Sequence, residues 1–263
     1  MLFPSPLAGE GLRVRGLPLE KKKDKKRLDV MLFEKGFSET RTKAQAFIIG
    51  GSVYVNGEVQ YKAGTLVGDD DLIEIKNVNP YVSRGGLKLE SALNALNIDV
   101  SGFICLDIGA STGGFTDCML QKGAVKVYAV DVGTGQLHYK LRQDSRVINI
   151  ENVNFRYFDN ALLKDKIDFA TIDVSFISLD KILPMAYKSV GEDAFVLAMI
   201  KPQFELEPSE IKKGVVRDEK LRQKAIDKIK NFALGLGFKI ISEADSGLKG
   251  PKGNLEHFVL LKK

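Results

Sequence analysis

The chain has 263 residues, of which 44% are hydrophobic and 28% charged, with two cysteines, two histidines and a net charge of +5. That length suffices for one large domain and a smaller one. The cysteine and histidine counts leave little material for a disulfide framework, a metal site or a histidine-dependent hydrolase triad. No apolar run approaches the ~18 to 20 residues that span a bilayer, and the longest strong one is residues 194–200, "AFVLAMI".

Residues 1–24 begin "MLFPSPLAGEGLRVRG", an opening broken by Pro4 and Pro6 with no continuous apolar stretch, so they read as a disordered leader and not as a secretory signal. The absence of a signal and the unpaired spacing of Cys105 and Cys118 fit a reducing cytoplasm. Segment 21–43 carries nine Lys/Arg against four Asp/Glu, an excess of five that equals the excess of the whole chain. A concentrated basic footprint is the electrostatic signature of nucleic-acid binding.

The spacing of Leu28, Met31 and Leu32 predicts a helix over 27–35 closed by Gly36. Ser38 is the expected N-cap of a second helix, basic at Arg41 and Lys43, apolar at Ala44, Phe47 and Ile48, and ended by Gly50-Gly51. Strand "SVYV" then meets the hairpin turn Asn56-Gly57, and "DLIEI" at 71–75 adds a further strand. The stretch "RLDVMLFEKGFSETRTKAQAFIIGGSVYVNGE" resembles the alpha-L RNA-binding motif of a small-subunit ribosomal protein and of pseudouridine synthases. That resemblance implies RNA contacts from the second helix and adjoining loop, with Arg27, Arg41 and Lys43 as the contacting residues. The segment 77–81 reads as a linker, which sets the expected domains at 25–80 and 81–263.

Beyond the linker the pattern alternates. Helices are expected at 84–97, 113–122, 137–143, 178–189 and 218–235; strands at 103–108, 126–130, 147–150, 167–172, 194–200, 237–244 and 257–262. The expectation is an α/β fold: a Rossmann-like, seven-stranded, mostly parallel sheet with helices on both faces and its ligand at the carboxyl ends of the strands.

The stretch "CLDIGASTGGFTDCML" at 105–120 is a strand, a glycine turn and a helix start, a combination that collects backbone N–H groups. It lacks the Gly-Lys-Ser/Thr of a phosphate-binding loop, and it does not fit the G-x-G-x-x-G of a dinucleotide site. A nucleoside ligand without pyrophosphate suits it better, and D-x-G-x-x-x-G-G points to S-adenosylmethionine, with Asp107 near the sulfonium and ammonium. Gly109, Ala110, Ser111, Thr112, Gly113 and Gly114 form the turn. Asp131 ends the next strand, where an acidic residue accepts hydrogen bonds from ribose hydroxyls, and Val132 follows it. "ENVN" at 151–154, with Asn152, follows the third strand where an adenine-contacting loop is expected. Asp173 and Lys201 end the fourth and fifth strands at the same edge.

The motifs "YVSRGGLKL", "LDIGASTGGFTDCML", "TIDVSFISL", "IKPQFE" and "GNLEHF" resemble the TlyA family of ribosomal RNA 2'-O-methyltransferases, also labelled haemolysin A, from Lys25 onward. The catalytic domain of that family is of the FtsJ type and uses a Lys-Asp-Lys-Glu tetrad. The matching positions are Lys88, Asp173, Lys201 and Glu256. The resemblance implies methyl transfer to a ribose 2'-hydroxyl, of cytidine, in ribosomal RNA or ribosomal subunits. These residue types suit that chemistry, because a ribose hydroxyl is a weak nucleophile that must be oriented and relieved of its proton. A lysine beside a second cation and partly desolvated loses its own proton more readily, whereas nearby carboxylates oppose that loss. Lys201 is therefore read either as a base or as an orienting group. An RNA-binding protein with an inactive methyltransferase-like domain, a membrane-lytic protein and a nicotinamide-dependent oxidoreductase are the competing readings. The intact tetrad, the charged composition and the missing G-x-G-x-x-G count against them in turn.

Overall fold

In the computed structural model the described residues are 25–76, 79–211, 214–250 and 253–263, so the expected leader and part of the expected linker lie outside them. They divide into two compact units, one ending at Lys76 and the other running to Lys263.

The first unit comprises β1 Lys26–Arg27, α1 Leu28–Glu34, α2 Arg41–Ile49, β2 Val53–Val55, β3 Glu58–Gln60, β4 Leu66–Val67 and β5 Ile73–Ile75. Its core is Leu28, Met31 and Leu32 of α1 against Ala44 and Ile48 of α2 and Val53 of β2. The apolar spacing of the two helices foretells these contacts. The cap of α2 differs from expectation: the Thr40 side chain, not Ser38, accepts the Lys43 N–H at 3.1 Å, and the Ser38 hydroxyl donates to the Thr40 carbonyl. Either hydroxyl suits a cap, and the chain starts the helix two residues later than Ser38 would. Asn56 and Gly57 both adopt positive φ, as a two-residue hairpin between β2 and β3 requires.

The second unit comprises α3 Arg84–Ala95, β6 Ile104–Ile108, α4 Gly114–Gln121, β7 Lys126–Val130, α5 Tyr139–Arg142, β8 Val147–Ile150, β9 Phe169–Ile172, α6 Leu183–Ser189, β10 Phe195–Ile200, α7 Pro202–Glu205, α8 Glu219–Gly235, β11 Lys239–Asp245 and β12 His257–Lys262. All seven expected strands form one sheet in the order β11-β12-β10-β9-β6-β7-β8, with β12 antiparallel to both neighbours and the rest parallel. The expected helix 178–189 is instead a 3-10 turn, Leu179–Lys181, followed by α6; Pro184 at the start of α6 lacks the N–H that would have continued the earlier turn.

Apolar strands buried on both faces need cover on both. Ile226, Ile229 and Ala233 of α8 with Leu183 and Ala186 of α6 cover one face. Leu89, Ala92 and Leu93 of α3 with Phe115, Cys118 and Met119 of α4 cover the other. Cys105 and Cys118 are free and buried, and burial pushes the Cys118 thiol up to about 12, so neither is a reactive thiolate.

Candidate active site

Strand register places the site. Val130 of β7 and Ile172 of β9 both pair with Ile108 of β6, so Asp131, Gly109 and Asp173 leave the sheet side by side at its carboxyl edge. The chain order reverses between β6 and β9, the position at which open α/β sheets bind ligands. On the far side, Ile200 pairs with His257, so the antiparallel run of β12 brings Glu256 beside Lys201.

The four expected catalytic residues converge as two ion pairs. Lys88 Nζ, from α3, lies 2.5 Å from Glu256 Oε2, and Lys201 Nζ lies 2.5 Å from Asp173 Oδ1 while donating to Ser175 Oγ at 2.9 Å. Lys88, Lys201 and Glu256 are buried, and a buried charge without a partner would be strongly unfavourable, so each needs its mate. All four line one cavity of about 320 Å³ together with Ser83 and Lys249.

A second cavity, of about 480 Å³, is lined by Asp131, Val132, Val153, Asn154, Phe155 and Phe176, among others. Gly109, Ser111, Asp173 and Ser175 line both cavities. The volume lies in the range that holds a nucleoside-sized ligand, roughly 300 to 1,000 Å³. Its polar groups are preset: the Asp131 carboxylate accepts the Ser111 N–H at 2.8 Å through one oxygen and the Gly133 N–H at 2.7 Å through the other. Gly109 has φ +87, and a Cβ there would come within 2.6 Å of the Asp173 carbonyl oxygen, so only glycine allows the two strand ends to lie this close.

Three expected ligand residues line neither cavity. Asp107 is wholly buried, accepting the Thr116 hydroxyl at 2.6 Å and the Thr171 hydroxyl at 3.1 Å, and burial pushes its carboxyl up to about 6. Gly113 lines neither cavity; at φ +91 it packs where a Cβ would strike Leu137 and Leu141, so it shapes the turn. Asn152 is exposed with φ +58 and is absent from the cavity wall, which its neighbours Val153 and Asn154 form. Ala110, Thr112 and Gly114 line the first cavity, not the second. Arg84 and Lys249 on the first cavity and Phe155 and Phe176 on the second are additions to the expected set. Only Phe176 has a readable signal in the sequence, an aromatic residue just past the end of an apolar strand, where core packing has stopped.

In the first unit, Arg27 and Arg41 share one buried partner. Asp29 is fully buried and accepts Arg27 Nε at 3.0 Å, Arg41 Nε at 2.9 Å and Gln45 Nε2 at 2.7 Å. These donors, Arg27 foremost, hold its carboxyl well below the usual carboxylate range. Both arginine side chains nonetheless stay about half exposed, at 48% and 51%. Lys43 makes an exposed pair with Glu39 at 3.2 Å.

Among the described residues no helix is long and apolar enough to cross a membrane, and no group of three or more His, Cys, Asp or Glu could hold a metal ion.

A seven-stranded sheet with an antiparallel strand beside its edge, and paired cavities at the carboxyl ends of β6, β7 and β9, define an α/β domain of the methyltransferase class. The FtsJ-like methyltransferase family model matches residues 81–263, and the S4 domain model matches residues 26–73. Hemolysin A of Brachyspira hyodysenteriae is 45% identical over 240 residues, covering 89% of this chain and 100% of that one. The 16S/23S rRNA (cytidine-2'-O)-methyltransferase TlyA of Mycobacterium tuberculosis is 38% identical over 239 residues, covering 90% of this chain and 89% of that one. The solved structure of a hemolysin candidate from Streptococcus thermophilus superimposes with a TM-score of 0.73 at 44% identity, covering 91% of this chain and 88% of that one. The chain belongs to the FtsJ-like methyltransferase family, in the group of TlyA and hemolysin A proteins.

Proposed function

We propose that the chain transfers a methyl group from S-adenosylmethionine to the 2'-hydroxyl of a cytidine in ribosomal RNA. The observation that carries this reading is the pair of buried contacts Lys88–Glu256 and Lys201–Asp173 on one cavity whose wall is continuous with a second, nucleoside-sized one. Ribosomal RNA and cytidine come from the name of the Mycobacterium tuberculosis relative.

The second cavity fits the donor. Asp131 has oxygen lone pairs beyond those taken by Ser111 and Gly133, suited to ribose hydroxyls, and Val132, Val153 and Phe155 offer apolar surface for a base. When bound, S-adenosylmethionine supplies an electrophilic methyl group on a sulfonium. The residues of the first cavity handle the acceptor. Lys201 Nζ orients the ribose hydroxyl and, once it has given up its own proton and stands as the neutral amine, receives the hydroxyl proton as the new C–O bond forms. Asp173, 2.5 Å away, holds Lys201 and offsets the ammonium charge that results. Lys88, fixed by Glu256, places a second cation on the same wall to steady the developing oxyanion. The half-exposed Arg27, Arg41 and Lys43 give the S4 domain a basic surface suited to phosphates.

Mapping 2'-O-methyl groups in ribosomal RNA from cells with and without this chain tests the reading. The expected result is one or a few cytidine ribose methyls present only with the chain; methylation confined to a base, or no difference at all, would refute it.

A further inference from the structure

We infer that Glu205 is a positioning residue that clamps the segment after β9 to the turn after β10 and so sets Asp173 against Lys201. The inference rests on the methyl-transfer reading above. Glu205 closes α7, four residues beyond Lys201, and its side chain is only 1% exposed. Both carboxylate oxygens are taken from across the gap: Ser178 Oγ donates to Oε2 at 2.5 Å, and the Leu179 N–H donates to Oε1 at 2.9 Å. Ser178 and Leu179 lie just downstream of Asp173 and Ser175. Each half of the Lys201–Asp173 pair therefore sits immediately upstream of the same tie.

Two further contacts join the same segments. Lys201 Nζ donates to Ser175 Oγ at 2.9 Å, and the Phe176 and Phe204 rings stand 5.1 Å apart. The loop between them is costly to hold in shape: Phe176 has φ +62 and is 91% exposed, so its own side chain is not buried in compensation. A bulky residue keeps a left-handed backbone only where the surroundings over-determine it. Burying a carboxylate is likewise unfavourable, and a neutral side chain would fill the space at less cost. The charge is explained by what it holds. Lys228, from α8, supports the clamp from behind, with Nζ 3.8 Å from Oε2 and donating to the Glu205 carbonyl at 2.8 Å.

The test is kcat for ribose methylation at saturating donor and RNA, measured well below each variant's melting temperature. Glu205→Ala is expected to lower kcat about tenfold or more, because small displacements of reacting groups are expensive. Glu205→Gln, which keeps an acceptor for the Leu179 N–H and a polar group facing Ser178, should recover most of that loss. Ser178→Ala should lower kcat less, and the double variant Ser178→Ala with Glu205→Ala should be no worse than Glu205→Ala alone. Parental kcat in Glu205→Ala, equal losses in the alanine and glutamine variants, or additive losses in the double variant would overturn the clamp. If Glu205→Ala does not fold, parental kcat in Ser178→Ala overturns it instead. A parent protein that methylates no ribose refutes the function, whereas an active parent beside unaffected variants refutes only the clamp.

Discussion

Lys201 Nζ touches both Asp173 Oδ1, at 2.5 Å, and Ser175 Oγ, at 2.9 Å, so a single side-chain amine joins the end of β10 to the segment after β9. Asp173 and Ser175 also line both cavities. The group proposed to receive the proton is thus held by residues that face donor and acceptor together.

Lys201→Ala is accordingly expected to cut methyl transfer by ~10² or more, the scale of a lost proton-transfer group, with donor affinity nearly intact. Lys201→Arg should be as poor, since a guanidinium keeps its proton at working pH. Single-turnover transfer of a labelled methyl group reads both variants; near-parental rates in the arginine variant would remove the proton-accepting role.

Asp131→Ala should weaken S-adenosylmethionine binding about ten- to a hundredfold, equivalent to ~1.5 to 3 kcal/mol of charge-assisted hydrogen bonding. The same change frees the Ser111 and Gly133 N–H groups, so the turn loses its brace along with the ligand contact. Calorimetric titration of the donor checks this, and unchanged affinity would place the ribose elsewhere.

Replacing Arg41 and Lys43 with alanine should weaken ribosomal RNA binding and flatten its salt dependence. Each lost phosphate contact takes away ~0.7 to 0.9 from the log–log slope. Asp29 keeps Arg27 and Gln45 in the variant, so the S4 domain should stay folded. Filter binding over a salt series, with donor titration alongside, reads the effect; an unaltered slope would exclude this helix face from RNA docking.

Asp107 gives a pH signature. Its folded value of about 6 lies above the ordinary carboxylate value, so burial disfavours the charged form. The contribution of this group to folding is therefore most favourable below about pH 4 and falls by about 2 to 3 kcal/mol as pH rises from about 4 to about 6. Asp107→Asn removes the titration; of the Thr116 and Thr171 hydroxyls, which meet different oxygens of Asp107, the one facing the amide nitrogen can turn to accept from it while the other goes on donating to the amide oxygen. Urea unfolding of parent and variant at mildly acidic and neutral pH should show the variant gaining relative to the parent at neutral pH. A gap that does not change with pH would refute the burial argument.

Much of this is legible in the sequence. The seven strands announce themselves as short apolar runs between helical patterns, and the tetrad follows from motifs even though Lys88 and Glu256 stand 168 residues apart. What is not legible is which side of the backbone a residue takes when both sides are protein. In a strand exposed on one face, alternation would show whether Asp107 points inward. β6 is buried along almost its whole length, so no alternation exists to read, and nothing in the sequence shows that Thr116 and Thr171 hold Asp107. Glu205 escapes notice for the opposite reason: a glutamate ending a short helix resembles any solvated carboxylate until Ser178 and Leu179 fold over it.

The place of β12 between β10 and β11 makes the two ion pairs depend on different parts of the chain. The parallel strands β6 to β10 and their helices bring Asp131, Asp173 and Lys201 to one edge without help from the last part of the chain. Glu256 is brought to that edge by β12, which lies between two strands that precede it in the sequence, and there it partners Lys88. Loss of β12 would therefore take Glu256 from Lys88 while leaving β9 and β10, whose ends carry Asp173 and Lys201, paired with each other.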